Sequence, residues 1–157
     1  MNLKKTLIAA MGAAILAAPL VAAPVLSSTA EAAGEQFFPL ISYRTGPYAV
    51  GGIPLANGYG DYLKLLNARD GGINGVKIQF EECETQYNTK VGIECYEKLK
   101  NKGDVGASVF NPNSTGITYA LIPKTPIDKV PVHSMGYGRT AAGDGRVFPW
   151  AFTFPTS

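Results

Sequence analysis

Apolar positions along the chain repeat with two periods, one near 2 and one near 3.6, and the period changes at clusters of glycine, proline and asparagine. Residues 37–43, Phe-Phe-Pro-Leu-Ile-Ser-Tyr, form a short apolar run that predicts a first strand, with Pro39 suited to an edge or a strand start. A glycine-rich turn over residues 44–52 follows. Residues 53–68 then set Leu55, Tyr59, Tyr62, Leu63, Leu65 and Leu66 at helical spacing, which predicts a helix with a broad inward face. Asp70-Gly-Gly72 and Asn74-Gly75 stop that helix and turn the chain. Residues 76–80 alternate as a second strand that ends in Glu81, Glu82 and Glu84. Residues 88–100 predict a second helix through Val91, Ile93, Cys95, Tyr96 and Leu99, ended by Gly103. A third strand is expected over 105–110, a third helix over 114–124 checked by Pro123 and Pro126, and a fourth strand over 130–135. A glycine-rich loop, 136–146, leads to a fifth extended run over 147–154.

Strands and helices alternating at these spacings suit right-handed crossovers in a parallel sheet, so the fold class is α/β with flanking helices. In such a sheet small ligands bind at the carboxyl ends of the strands. The turn from Asn111 to Thr115 lies at such an end, and it offers side-chain amides, hydroxyls and the N–H groups of a helix start to a small polar ligand. The chain stops just after its fifth extended run with no closing helix, which reads as an interrupted chain.

The first 32 residues are expected to be a cleavable export signal. Lys4 and Lys5 precede an alanine-rich apolar run over 7–26, and Ala30-Glu-Ala32 gives a small-residue cleavage site; Pro19 and Pro24 within the run weigh against the alternative of a membrane anchor. Cleavage leaves 125 residues, enough for one core, with 12 basic against 11 acidic side chains. That balance excludes the basic stripe of a nucleic-acid binder. Cys83 and Cys95 are the only cysteines, and in an oxidising compartment they are expected to pair, closing a short loop worth about 3 kcal/mol in the chain-entropy model. A metal pair or a nucleophile is the alternative, but His133, the sole histidine, is remote in sequence.

Other side chains carry two readings each. Ser114 and Thr115 are helix caps worth about 1 kcal/mol, and equally candidates for ligand contact. Arg139 is either a bidentate partner for a carboxylate or a solvated arginine near Asp144. Tyr48 and Tyr137 either wall a pocket or pack within their loops. His133 and Ser134 are adjacent in a strand and point to opposite faces, so they form no base–nucleophile pair. Glu81, Glu82 and Glu84 read as a solvated strand end rather than a metal site, and Gly51, Gly52, Gly58 and Gly60 do not make a dinucleotide fingerprint.

Three stretches in order resemble the branched-chain amino acid group of type I periplasmic substrate-binding proteins. They are Thr45-Gly-Pro-Tyr-Ala49, Leu65-Leu-Asn-Ala-Arg-Asp-Gly-Gly-Ile-Asn-Gly-Val-Lys-Ile78, which is the most specific, and Asn113-Ser-Thr-Gly116. The resemblance covers nearly all of the chain after the signal and implies a Rossmann-like first lobe, incomplete, over residues 33–157. It further implies a two-lobed protein more than twice as long, whose lobes close on a solute and present it to an ABC-transporter permease. Ligand contacts in that group come from loops after the first, third and fourth strands. Carried onto this sequence, those loops hold Tyr43, Thr45 and Tyr48; Asn111, Asn113, Ser114 and Thr115; and Ser134, Gly136, Tyr137 and Arg139.

Two departures bear on the ligand. Asn111-Pro-Asn113 stands where amino-acid binders place a carboxylate-holding serine, and Gly136-Tyr-Gly-Arg139 stands where they hold the ammonium. The expected protein is thus a monomeric periplasmic binder of a small polar or aromatic solute (amino acid-like, amide or carboxylate), not an enzyme, with no metal, cofactor or nucleic acid. An extracellular sensing module of the same fold and a truncated product without function are the alternatives.

Overall fold

The structure is a computed structural model and describes residues 34–134 and 140–153. The expected export signal and cleavage site, Met135 to Arg139 and the last four residues lie outside the described residues. Strand β1 (Glu35–Ser42) leads to helix α1 (Ala49–Asp70), strand β2 (Lys77–Glu84) and helix α2 (Thr89–Leu99). Helices α3 (Thr115–Leu121) and α4 (Thr125–Asp128), strand β3 (Val132–Ser134), a 3-10 turn (Thr140–Gly143) and strand β4 (Ala151–Thr153) complete the order. β1 pairs in parallel with β2, and β3 with β4. Parallel bridges from Phe37 to Ala107, Leu40 to Asn111 and Phe110 to Val132 join the two pairs through residues 107–111. The sheet therefore runs β2, β1, residues 107–111, β3, β4, with every pairing parallel, and the fold is α/β with flanking helices.

The third predicted strand is the weakest part of that sheet, and Pro39 explains why. Phe37 turns its carbonyl toward Ser108 N–H (2.9 Å), whereas Ser42 turns its carbonyl toward Thr85 N–H (2.8 Å). Alternate residues of β1 thus serve opposite neighbours, and Pro39, two residues on from Phe37, faces the 107–111 segment with no N–H to offer. Between the two bridges β1 advances three residues while its neighbour advances four, so the ladder slips by one as in a bulge. Isolated bridges replace the continuous strand expected over 105–110. Pro39 is not at an edge or a strand start, as its sequence context suggests; it is a fully buried residue inside β1.

The main core lies on one face of the sheet. Phe37, Ile41, Phe110 and Val132 from the sheet meet Cys95, Tyr96 and Leu99 of α2 and Ile117 and Leu121 of α3. Each such large side chain taken from water contributes about 1.5–3 kcal/mol before chain entropy is counted. The disulfide between Cys83 and Cys95 ties β2 to α2 on the same face, with Cα atoms 5.8 Å apart.

α1 covers the other face, and it does so through small residues. Gly52, Ala56, Gly60 and Leu63 are its buried positions, while Leu55, Tyr62 and Leu65, which helical spacing predicts to be inward, are exposed. A Cβ at Gly52 would lie 2.0 Å from the Tyr43 carbonyl oxygen, so larger side chains there would hold the helix off the sheet. α1 also begins at Ala49 rather than near residue 53, drawing the end of the glycine-rich turn into its first turn.

Other boundaries move for local reasons. β2 continues through Glu84, so the acidic cluster lies within the strand, not after it. The helix expected over 114–124 is α3, which ends at Leu121; α4 is a further short helix beyond it, and Pro126 sits in its first turn, where its missing N–H costs nothing. Residues 149–150 form a turn and, among the described residues of the last run, Ala151–Thr153 are extended.

Candidate functional site

β1, residues 107–111 and β3 run in the same direction, so their carboxyl ends fall on one edge, and the loops leaving them carry most of the predicted site residues. The loop after β1 is held by the end of β2. Arg44 forms an ion pair with Glu82 and donates to Asn57 Oδ1 at 2.7 Å. Its guanidinium holds the Glu82 carboxyl below the ordinary carboxylate value. Thr45 donates both its backbone N–H and its hydroxyl to Glu84 Oε1, each at 3.2 Å, and the N–H of Gln86 reaches the same oxygen at 2.8 Å. Glu82 and Glu84 therefore act as loop anchors rather than as a solvated strand end, and Glu81 pairs with Lys98 and Lys102. Among the described residues no group of three potential metal ligands occurs.

Tyr48 follows as the residue that opens α1, with no side-chain cap, and its carbonyl accepts the N–H groups of Gly51 and Gly52 at 3.0 Å. Tyr48 as a whole is 57% exposed. Tyr43, Tyr48 and Tyr87 form one aromatic cluster: Tyr87 meets Tyr43 edge-on at 5.0 Å between centroids and Tyr48 at 4.4 Å with a 48° tilt. Tyr87 comes from the loop after β2 and was not among the residues the sequence singled out.

At the second loop, Asn113 adopts the left-handed conformation (φ 53°) and donates its amide to the Ile41 carbonyl at 3.1 Å, tying this turn to the end of β1. Ser114 is buried and caps α3: its hydroxyl accepts from the Ile117 N–H at 3.4 Å, and its carbonyl accepts from the Thr118 N–H and hydroxyl. Thr115 is the first residue of α3. Asn111 and Asn113 line a groove of about 400 Å³ with Pro54, Leu55, Gly58 and Tyr59 of α1. Asn111 Oδ1 is buried and accepts no hydrogen bond among the described residues. A buried acceptor in that state costs about 1–3 kcal/mol.

Ser134 lies at the end of β3 with its side chain buried beside Thr118, Val132 and Ala142. Gly136, Tyr137 and Arg139 lie outside the described residues. Asp144, the neighbour considered for Arg139, is held by Arg146 at 3.0 Å. The structure thus brings Tyr43, Thr45 and Tyr48 to one loop and Asn111, Asn113, Ser114 and Thr115 to a second loop fastened to the end of the strand that carries the first. No glycine marks the Gln86-Tyr87 turn, so nothing in the sequence pattern pointed to Tyr87; the acidic residues before it were the available signal.

A family model described as periplasmic binding protein matches residues 35–157. No curated protein matches the chain. Among solved structures, one described as an ABC transporter permease from the Pseudomonas fluorescens group is 47% identical, with a TM-score of 0.72, over 76% of this chain and 30% of that one. The branched-chain amino acid transporter substrate-binding protein LivJ from Streptococcus pneumoniae, solved with isoleucine, is 20% identical with a TM-score of 0.62, over 76% of this chain and 33% of that one. A fatty acid ABC transporter substrate-binding protein from Thermomonospora curvata is 18% identical with a TM-score of 0.54, over 64% and 25%. The chain spans a third or less of the length of each of these structures.

Proposed function

Because the chain belongs to the periplasmic binding protein family, we propose that it forms the first lobe of the solute-binding component of an ABC importer. The solute would be small and either polar or aromatic: amino acid-like, an amide or a carboxylate. The observation that carries this reading is the fastening of the Asn111–Thr115 turn to the end of β1 through Asn113 and Ile41. It holds amide and hydroxyl groups, the start of α3 and the Tyr43–Tyr48 loop at one sheet edge, where parallel α/β sheets receive ligands.

Capture would use Tyr43, Thr45, Tyr48, Asn111, Asn113 and Thr115 from these loops, with Ser134, Gly136, Tyr137 and Arg139 from the third; Ser114 would act chiefly through its cap. Closure against a second lobe and delivery to a membrane permease belong to the same reading, as does export through residues 1–32 to the periplasm, where the Cys83–Cys95 disulfide is stable. A thermal-shift screen of amino acids, short amides and small carboxylates tests it. A rise in melting temperature that grows with solute concentration for one chemical class supports the proposal, and a flat response across all three classes counts against it.

A further inference from the structure

Resting on the solute-binding reading above, we propose that Tyr87 is a specificity-determining residue and that the Tyr43–Tyr48–Tyr87 cluster is an aromatic wall selecting solutes with a planar π face. Tyr87 reaches this position at a conformational cost. Gln86 and Tyr87 are successive non-glycine residues with φ of 55° and 58°, a region that large L side chains avoid. Four hydrogen bonds hold the chain there. Thr85 N–H donates to the Ser42 carbonyl (2.8 Å) and Gln86 N–H to Glu84 Oε1 (2.8 Å). Tyr87 N–H donates to the Thr85 hydroxyl (3.3 Å) and Asn88 N–H to the Thr85 carbonyl (2.8 Å). Thr85 is itself fully buried. Ordinary loop packing does not require an unfavourable backbone at a tyrosine; strain kept in place by surrounding bonds is a mark of pre-organised sites.

The geometry of the rings distinguishes the ligand class. With centroids 4.4 and 5.0 Å apart the rings touch, leaving no box between them in which a cation could be enclosed. What remains is the exposed side of Tyr48, backed by Tyr87, which Tyr43 in turn meets edge-on. An outward ring face of this kind favours an offset-stacked or edge-on aromatic group. Thr45 and the carboxylate of Glu84 lie at the foot of the same loop and are already bonded to each other, so the wall contributes shape and π contact rather than charge.

The test compares two carboxylic acids of similar size, phenylacetate and cyclohexylacetate, by calorimetric titration of the full chain. The wild type is expected to prefer phenylacetate by about five- to tenfold. Tyr87→Phe should keep that ratio. Tyr87→Asn should bring it near one while preserving the melting temperature, since asparagine accepts the left-handed conformation better than tyrosine. A ratio unchanged in Tyr87→Asn, or a wild type that binds aliphatic solutes without preferring phenylacetate, overturns the aromatic wall alone. A wild type that binds no solute of the earlier screen overturns the solute-binding reading with it.

Discussion

The side-chain amide of Asn67 holds both backbone groups of Ile78: its Nδ2 donates to the Ile78 carbonyl at 2.7 Å and its Oδ1 accepts the Ile78 N–H at 2.8 Å. This pair explains the most specific stretch of the sequence. Asn67 in the last turn of α1 clasps the start of β2, and the glycines between them let the chain return. Gly71 caps α1 in the left-handed conformation, and Gly72 has φ 104° with Val76 O only 1.9 Å from where a Cβ would stand. Ile73 and Val76 then close the turn by exchanging backbone hydrogen bonds at 2.9 and 3.0 Å.

Asn67→Ala is therefore expected to destabilise the chain by about 2 kcal/mol, roughly 1 for each lost hydrogen bond. The urea midpoint measures it, and a loss under about 0.5 kcal/mol would mean that water replaces the clasp.

The glycine face of α1 makes a steric prediction. Gly52→Ala places a methyl group against the Tyr43 carbonyl, a backbone atom that cannot swing aside. The substitution is expected to cost about 1–3 kcal/mol or more, and to displace the loop that carries Tyr43 and Tyr48. Gly58→Ala, where a Cβ meets nothing within 4 Å, should be neutral or stabilising by about 0.5–1 kcal/mol from helix propensity. Thermal melting of the two variants side by side tests the contrast.

Tyr96 and Asp128 join α2 to α4 and predict an acid response. The buried Tyr96 hydroxyl donates to Asp128 Oδ2 at 2.9 Å, and Lys100 reaches Oδ1 at 2.9 Å. The Lys100 ammonium first, and Tyr96 after it, hold the Asp128 carboxyl below its ordinary value of 3.8. A carboxyl depressed in the folded state contributes stability that is present above the unfolded value and lost as pH falls through the folded one. The wild type should lose melting temperature more steeply below about pH 4 than Asp128→Asn does. Parallel curves for the two proteins would remove Asp128 from the acid response.

Cys83 and Cys95 close a short loop, their sequence separation being 12. Replacing both with serine is expected to cost about 3 kcal/mol in the chain-entropy model, seen as a lower urea midpoint. The wild type in reducing agent should lose about as much, while the double variant should be indifferent to reductant.

Period and punctuation made the α/β order, the parallel crossovers and the two loops of the site legible. They did not show which side of α1 faces the sheet. Leu55, Tyr62 and Leu65 carry the helical signal, yet Gly52, Ala56 and Gly60 are buried, because close approach to a sheet selects small side chains that a hydrophobic count overlooks. Pro39 reads locally as an edge residue; only the pairing on both sides of β1 reveals that it interrupts a ladder inside the sheet. Tyr87 was invisible for a related reason. Its conformation is held by local bonds to Glu84 and Thr85 that are anchored in turn on Ser42, a tertiary partner that a local pattern does not contain.

If solute binds where the Tyr43–Tyr48 loop and the Asn111–Thr115 turn meet, residue-resolved NMR will locate it there. The full chain, labelled with nitrogen-15, would be titrated with the solute that most raises its melting temperature. Saturable shifts are expected in the amides of residues 43–48, 85–88 and 111–118, with α4 and the Asn67–Ile78 clasp unmoved. Shifts confined to the exposed flank of α1 around Leu65, or spread evenly without saturation, would contradict that placement.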